Sequence, residues 1–462
     1  MRRTALAALL VAALAPAAAA QGAGSSPAAE ATVTGPTGAA TEGALAPLLA
    51  RSHQHPAVLA AQAALDAARA QLQAARSPVR LEVTGGVTRL DVDEIDVNPL
   101  EPGVQPLERT LLNASAGVTF RPFAFGDIAD LVDQREVAVA QAELDLRSAL
   151  VSVQVRTLEA ALQLELARAG VAAAEEGAAL AREALAATEL RASRGAATER
   201  DLREARSGVA EAESLVADAH SSLELAELSL RTLLGDGEPP AVDPAAFDLP
   251  LPEGEPVEVI RAGLQARLAE LAPRGAQRAL LPVAQASYAF NLGEHDTLTL
   301  SLESRTLQPG VTFTHDAIGR SFPQTEVRGA LTVGVAWSIS PESFDALRAA
   351  EAQLEAARLA LEAARQGAAL QERALIGAAE QAQRALELAR ARRDDAEARL
   401  AETRARVDAG LATPLELQAD ALALTRAELE LRSASLGALR STLDLYELYA
   451  LPLTAAPEAS AR

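Results

Sequence analysis

Arg194-Gly195-Ala196-Ala197-Thr198-Glu199-Arg200-Asp201-Leu202 returns in the second half of the chain as Ala409-Gly410-Leu411-Ala412-Thr413-Pro414-Leu415-Glu416-Leu417. Each stretch reads as the tip of a helical hairpin. Gly195 and Gly410 suit the left-handed conformation that ends a helix. Thr198 and Thr413 suit the N-cap of the next one, with Pro414 at a first helical position. Asp201 and Glu416 stand three residues after their Thr, where a capping box places its acid.

Working outward from the tips, Asp127 to Arg194 and Glu342 to Ala409 contain no Pro. At 1.5 Å per residue each predicts a helix roughly 100 Å long, a rod and not a globular component. After the first tip, Leu202, Val209, Val216, Leu223 and Leu230 recur every seven residues, with Ala205, Ala212, Ala219, Ala226 and Leu233 three further on. That is a coiled-coil seam, and Ala in its inner row implies closely spaced helices. The second copy keeps the spacing with Leu417, Leu424, Leu431, Ala438 and Leu445, while Asp420 interrupts its inner row. The chain is therefore read as an internal duplication.

Ahead of each long helix lies a stretch of alternating residues. Leu112, Ala114, Ala116, Val118 and Phe120 are separated by Asn113, Ser115, Gly117 and Thr119, and Val327, Leu331, Val333, Val335, Trp337 and Ile339 form a second apolar set. These are strands with one apolar face. Phe120, Phe123, Phe125, Tyr288, Phe290, Phe313, Phe322, Trp337 and Phe344 fall in or beside them, as an aromatic girdle would. A soluble sheet packed on helices gives the same alternation.

Arg2 and Arg3 precede an apolar run from Ala5 to Ala15, and Ala18-Ala19-Ala20 supplies a small-residue cleavage pattern. Residues 1–20 are read as a secretory signal peptide, the alternative of a membrane anchor being disfavoured by the short run. Residues 21–43 read as a disordered linker. The first repeat then covers 44–235 as helix, strand pair, long helix and helix. A Pro-rich linker follows at 236–256, the second repeat covers 257–451, and 452–462 form a tail.

The 462 residues carry 42 basic against 63 acidic side chains, a net charge of −21, which argues against nucleic acid as the main partner. Hydrophobic residues make up 49% but aromatics only 3%, because Ala dominates; such a chain packs thin helical interfaces and not a deep core. Cys is absent, which removes disulfides, thiolate metal sites and a cysteine nucleophile. No nucleophile triad, phosphate loop or dinucleotide fingerprint is present, so no catalytic residue and no cofactor are expected. Asp91, Asp93, Glu94, Asp96 and Glu101 could hold a divalent cation but are read as a solvated loop between the first two strands. His53 and His55 beside Pro56 are read as a helix start, not as metal ligands, and His295 and His315 as residues of strand loops.

With the signal sequence, the duplicated order of elements, the Gly-x-x-Thr-x-x-acid-Leu tips and Leu233-Leu234-Gly235 closing the first half, residues 44 to 451 resemble the TolC family of outer-membrane efflux proteins. The resemblance is weakest from Val257 to Leu280, where the helix before Pro282 reads as eight to eleven residues shorter than its counterpart before Pro78, with Pro273 and Gly275 interrupting it.

The resemblance implies a mainly α fold with a membrane β-barrel portion: duplicated α-helical hairpins forming a tunnel across the periplasm, and four strands per chain closing a twelve-stranded barrel in a homotrimer. It implies an outer-membrane exit channel of a tripartite efflux or type I secretion system. Its partners would be a periplasmic adaptor, an inner-membrane pump reached through that adaptor, and outer-membrane lipid. Gly195, Ala196, Thr198, Gly410, Leu411 and Thr413 would face the adaptor. Asp201 and Glu416 map to the family's tunnel-entrance acids, a role that competes with capping for the same carboxylates. Ala412 stands where some members carry a gating Arg, so no ion pair is inherited there. The alternative is a non-conducting periplasmic coiled-coil spacer of the cell envelope.

Overall fold

The protein is described from a computed structural model, which covers residues 51–96, 103–121, 123–235, 249–292, 295–316 and 329–453. The expected signal peptide, the linker at 21–43, most of the Pro-rich linker, Glu101 and residues 454–462 lie outside the described residues.

The first repeat runs α1 (Pro56–Arg76), β1 (Val79–Asp96), β2 (Gly103–Phe120), α2 (Asp127–Ser193) and α3 (Glu199–Leu234). The second runs α4 (Val257–Ala269), α5 (Leu271–Ala279), β3 (Val283–Asn291), β4 (Asp296–Glu303), β5 (Pro309–Asp316), β6 (Gly329–Ala336), α6 (Pro341–Asp408) and α7 (Pro414–Tyr449). The duplication is geometric: α2 and α6 have 67 and 68 residues, and α3 and α7 have 36 each.

The long helices α2 and α6 carry the shorter ones. Along one half, α1 packs on α2, and α4 lies between α2 and α6. Along the other half, α3 pairs with α2, α7 with α6, and α7 also packs on α2. The lower half is thus a row in the order α3, α2, α7, α6. The heptad seam explains the first pairing: Leu202, Val209, Val216 and Leu223 are half-buried and Leu230 is buried. α7 is covered from two sides, and its last turns bury Leu439, Leu443, Leu445, Tyr446 and Tyr449.

The tightest packing is a band where Val151, Val155, Leu158 and Leu162 of α2 meet Leu230 of α3 and Leu439 and Leu443 of α7. The chain beyond α7 is tied to it, since the Leu453 N–H donates to Gln154 Oε1 at 3.0 Å. Tyr446 Oη donates to the Pro250 carbonyl at 3.2 Å, and Tyr449 Oη to Glu372 Oε1 at 2.8 Å. Burial and the neighbouring Glu372 push the Tyr449 phenol up to about 12. Ion pairs lace the more exposed helix edges, among them Arg69 to Glu143 at 2.9 Å and Arg182 to Glu213 at 3.0 Å.

The segment before Pro282 is not short. α4 and α5, of 13 and 9 residues joined through Glu270, together run slightly longer than the 21 residues of α1. The break comes at Glu270, ahead of Pro273 and Gly275. Pro273 then falls in the first turn of α5, where a backbone N–H has no intrahelical partner to lose. α5 is anchored to the start of α2 by Arg278, which pairs with Asp127 at 3.1 Å and with Asp130.

All strands form one antiparallel sheet in the order β1-β2-β5-β4-β3-β6. β1 pairs with β2 and β3 with β6, each pair placed between a short helix and a long one. The hairpin β4–β5 is an addition to the four strands that the resemblance implies, and it sits between the two pairs. The backbone from Asp91 to Asp96 is strand paired with β2, not the loop expected there.

Candidate functional site

Two surfaces are candidates: the hairpin tips at one end of the helices and the sheet at the other. At the first tip, Gly195 adopts φ 72° and its N–H donates to the Ala192 carbonyl at 2.9 Å, while the Ala196 N–H donates to the Arg191 carbonyl at 2.8 Å. At the second, Gly410 has φ 72°, with Gly410 N–H to Val407 at 2.9 Å and Leu411 N–H to Arg406 at 2.7 Å. This double bond pattern satisfies the last carbonyls of α2 and α6, and its left-handed residue favours Gly.

Both capping boxes form. Asp201 N–H donates to Thr198 Oγ1 at 3.2 Å, and Thr198 N–H to Asp201 Oδ2 at 2.8 Å. Glu416 N–H donates to Thr413 Oγ1 at 3.3 Å, and Thr413 N–H to Glu416 Oε2 at 3.4 Å. The backbone and side chain of Thr198 hold the Asp201 carboxyl below its ordinary value, with a smaller contribution from Arg191. Thr198→Ala and Thr413→Ala should each cost about 1 kcal/mol of local helix stability. Hydrogen exchange of the first-turn amides of α3 and α7 should accelerate accordingly, and unchanged exchange would show that the boxes do not hold these ends.

The tips project. Gly195, Ala196, Thr198, Gly410 and Thr413 are exposed, and Leu411 is 73% exposed. A Cβ added at Gly195 or Gly410 would meet nothing within 4 Å. Leu411 stands between exposed Gly410 and half-buried Ala412.

One face of the sheet is apolar and uncovered at its edge strands. Leu81, Val83 and Val87 of β1 and Leu331, Val333 and Val335 of β6 are exposed, Val83 by 71% and Val335 by 68%. Among the described residues no helix packs across this face. The opposite face is polar or small: Thr84 Oγ1 and Ser115 Oγ lie 2.6 Å apart there. Trp337, just past β6, donates its indole N–H to the Leu280 carbonyl at 3.0 Å and leaves its ring exposed. No helix among the described residues is long and apolar enough to cross a membrane.

The histidines are placed as local structure. His55 Nδ1 accepts from the Ala57 N–H at 3.2 Å and caps α1, and His315 Nδ1 lies 2.8 Å from Asp296 Oδ1. Among the described residues no group of three or more His, Asp or Glu could hold a metal ion.

Long duplicated hairpins are thus joined to a sheet with an uncovered apolar face. Residues 50–236 match the family described as outer membrane efflux protein. That match runs from before α1 to the end of α3. It has the fold of the outer membrane protein VceC of Vibrio cholerae, with a TM-score of 0.61 and 19% identity over 88% of this chain and 96% of that one. The Campylobacter jejuni CmeC outer membrane channel gives 0.62 and 14% over 88% and 86%. The open state of the Neisseria gonorrhoeae MtrE outer membrane channel gives 0.61 and 19% over 88% and 89%. No curated relative matches by sequence.

Proposed function

We propose that the protein is an outer-membrane exit channel of a tripartite efflux or type I secretion system, which passes substrates outward without performing chemistry. The observation that carries this reading is the uncovered apolar face of the sheet. A soluble sheet buries such a face against helices; a barrel turns it to lipid and keeps its polar face for the water-filled interior. A single open sheet cannot cross a bilayer with unsatisfied edge amides, so neighbouring copies must close it. A homotrimer does so, and it also covers the outer flanks of α3 and α6, where Leu215, Leu225, Leu228, Leu359, Leu370 and Leu388 stand exposed.

The helices then form the wall of a periplasmic tunnel, and the tips are its inner end. Gly195, Ala196, Thr198, Gly410, Leu411 and Thr413 dock the periplasmic adaptor, through which an inner-membrane pump supplies the energy. Asp201 and Glu416 act first as capping acids, and their exposed carboxylates also lend negative charge to the entrance. That charge, with the chain's net −21, favours cations by field.

The test is solution mass and planar-bilayer conductance of the purified full-length protein. A trimer that needs detergent and conducts is expected. A particle that stays soluble without detergent and does not conduct would return the protein to a periplasmic spacer.

A further inference from the structure

The hairpin β4–β5 has no counterpart in the first repeat, where β1 leads directly into β2. It is not a loop laid over the sheet. β5 is paired with β2, Gly310–Asp316 against Asn113–Thr119, and β4 with β3, Thr297–Glu303 against Gln285–Asn291. The hairpin therefore carries the sheet from the first strand pair to the second.

The side-chain rows continue through it. Leu81 stands opposite Val118, Val118 opposite Val311, Val311 opposite Leu300, Leu300 opposite Tyr288, and Tyr288 opposite Leu331. Residues directly opposite share a face, so one apolar row crosses all six strands. The next position along runs Arg80, Thr119, Gly310, Ser301, Ser287 and Thr332 through the same registers, and it is polar or small throughout. An insertion outside the barrel would have no reason to keep this division.

Its base is also seated. The turn after β4 brings the Arg305 carbonyl so close to Gly126 that a Cβ there would lie 2.1 Å from it, and Arg305 pairs with Asp127 at 3.6 Å. Gly126, with φ 58°, is the residue that lets the hairpin reach the start of α2.

We propose that β4 and β5 are wall strands of the membrane ring, so that each copy contributes six strands and joins its neighbours through the free edges of β1 and β6. The inference rests on the channel reading above. Parity supports it: β1, β5 and β3 lead away from the helices and β2, β4 and β6 return. β6 of one copy therefore meets β1 of the next antiparallel, as an even-stranded barrel requires. Three copies of a six-stranded sheet make a ring of eighteen strands. Barrel diameter grows roughly in proportion to strand number, so this ring is about 1.5 times as wide as one of twelve.

Electron cryomicroscopy of the full-length trimer in lipid nanodiscs should show eighteen strands with β4 and β5 in the wall. A conducting, detergent-requiring trimer with twelve wall strands and the hairpin outside would overturn this inference and leave the channel reading standing. A second measurement uses the absence of native Cys. Fluorophores on Leu298→Cys and Leu300→Cys should be quenched by brominated acyl chains, while those on Thr299→Cys and Ser301→Cys should not. Equal quenching at the four sites would place the hairpin outside the wall. A water-soluble particle that needs no detergent would sink both readings, and it would be recognised before any strand was counted.

Discussion

Gly195→Trp combined with Gly410→Trp is expected to abolish export while the trimer still assembles. Both glycines have φ 72°, so any side chain there meets the backbone penalty of the left-handed region, about 1–2 kcal/mol per site. That penalty is local, because a Cβ at either position meets nothing within 4 Å and both lie beyond the packed part of the hairpins. The indole rings would instead occupy the surface on which the adaptor is proposed to sit, at both tips of every copy. Gly195→Ala with Gly410→Ala supplies the control, since it keeps the backbone strain and removes the bulk. Export in cells and trimer mass in detergent are the paired readouts. If export persisted in the Trp variant at the level of the Ala variant, the tips would not be the docking surface.

Leu443→Ala should lower stability by about 2–5 kcal/mol per copy, the range for emptying a fully buried Leu site. Leu443 and its neighbour Leu162 are both 0% exposed. They sit in the band where α2, α3 and α7 converge, so a cavity there loosens three helices at once. The expected observation is a clear drop in the temperature at which helical circular dichroism is lost. Leu411→Ala, at an exposed tip, should shift it by no more than about 0.5 kcal/mol equivalent. A Leu443 variant melting with the parent protein would mean that the band does not limit stability.

The helical part was legible because its signals are local. A Gly in the left-handed region, a Thr cap and an acid three residues on act within one turn. The 215-residue offset between Gly195 and Gly410 recurs between the ends of α3 and α7, at Leu234 and Tyr449. The sheet was less legible. Alternation marks strands ahead of each long helix, but which strand pairs with which is a long-range choice that no spacing states. Four strands came from resemblance, and the extra hairpin lies where the repeats differ. The acidic run at Asp91 suggested a loop by composition, yet its pairing partner from Gly103 onward extends the hairpin beyond it. Pro273 was read as an interruption because Pro is unfavourable inside a helix; a restart at Leu271 puts it where that objection fails. The capped turns at the two tips were legible from the motif. The uncovered apolar face needed the structure, since alternation alone fits a soluble sheet equally well.

The packed band has a mechanical corollary. Beyond Leu164, α2 continues to Ser193 with few buried residues, an overhang of roughly 45 Å at 1.5 Å per residue. A tilt of about 5° at the band would carry the end of that rod sideways by roughly 4 Å, simply by leverage. The clamp and the overhang together make the hairpin a lever with its fulcrum near the middle of α2, so small rearrangements there are magnified at the far end without bending a helix.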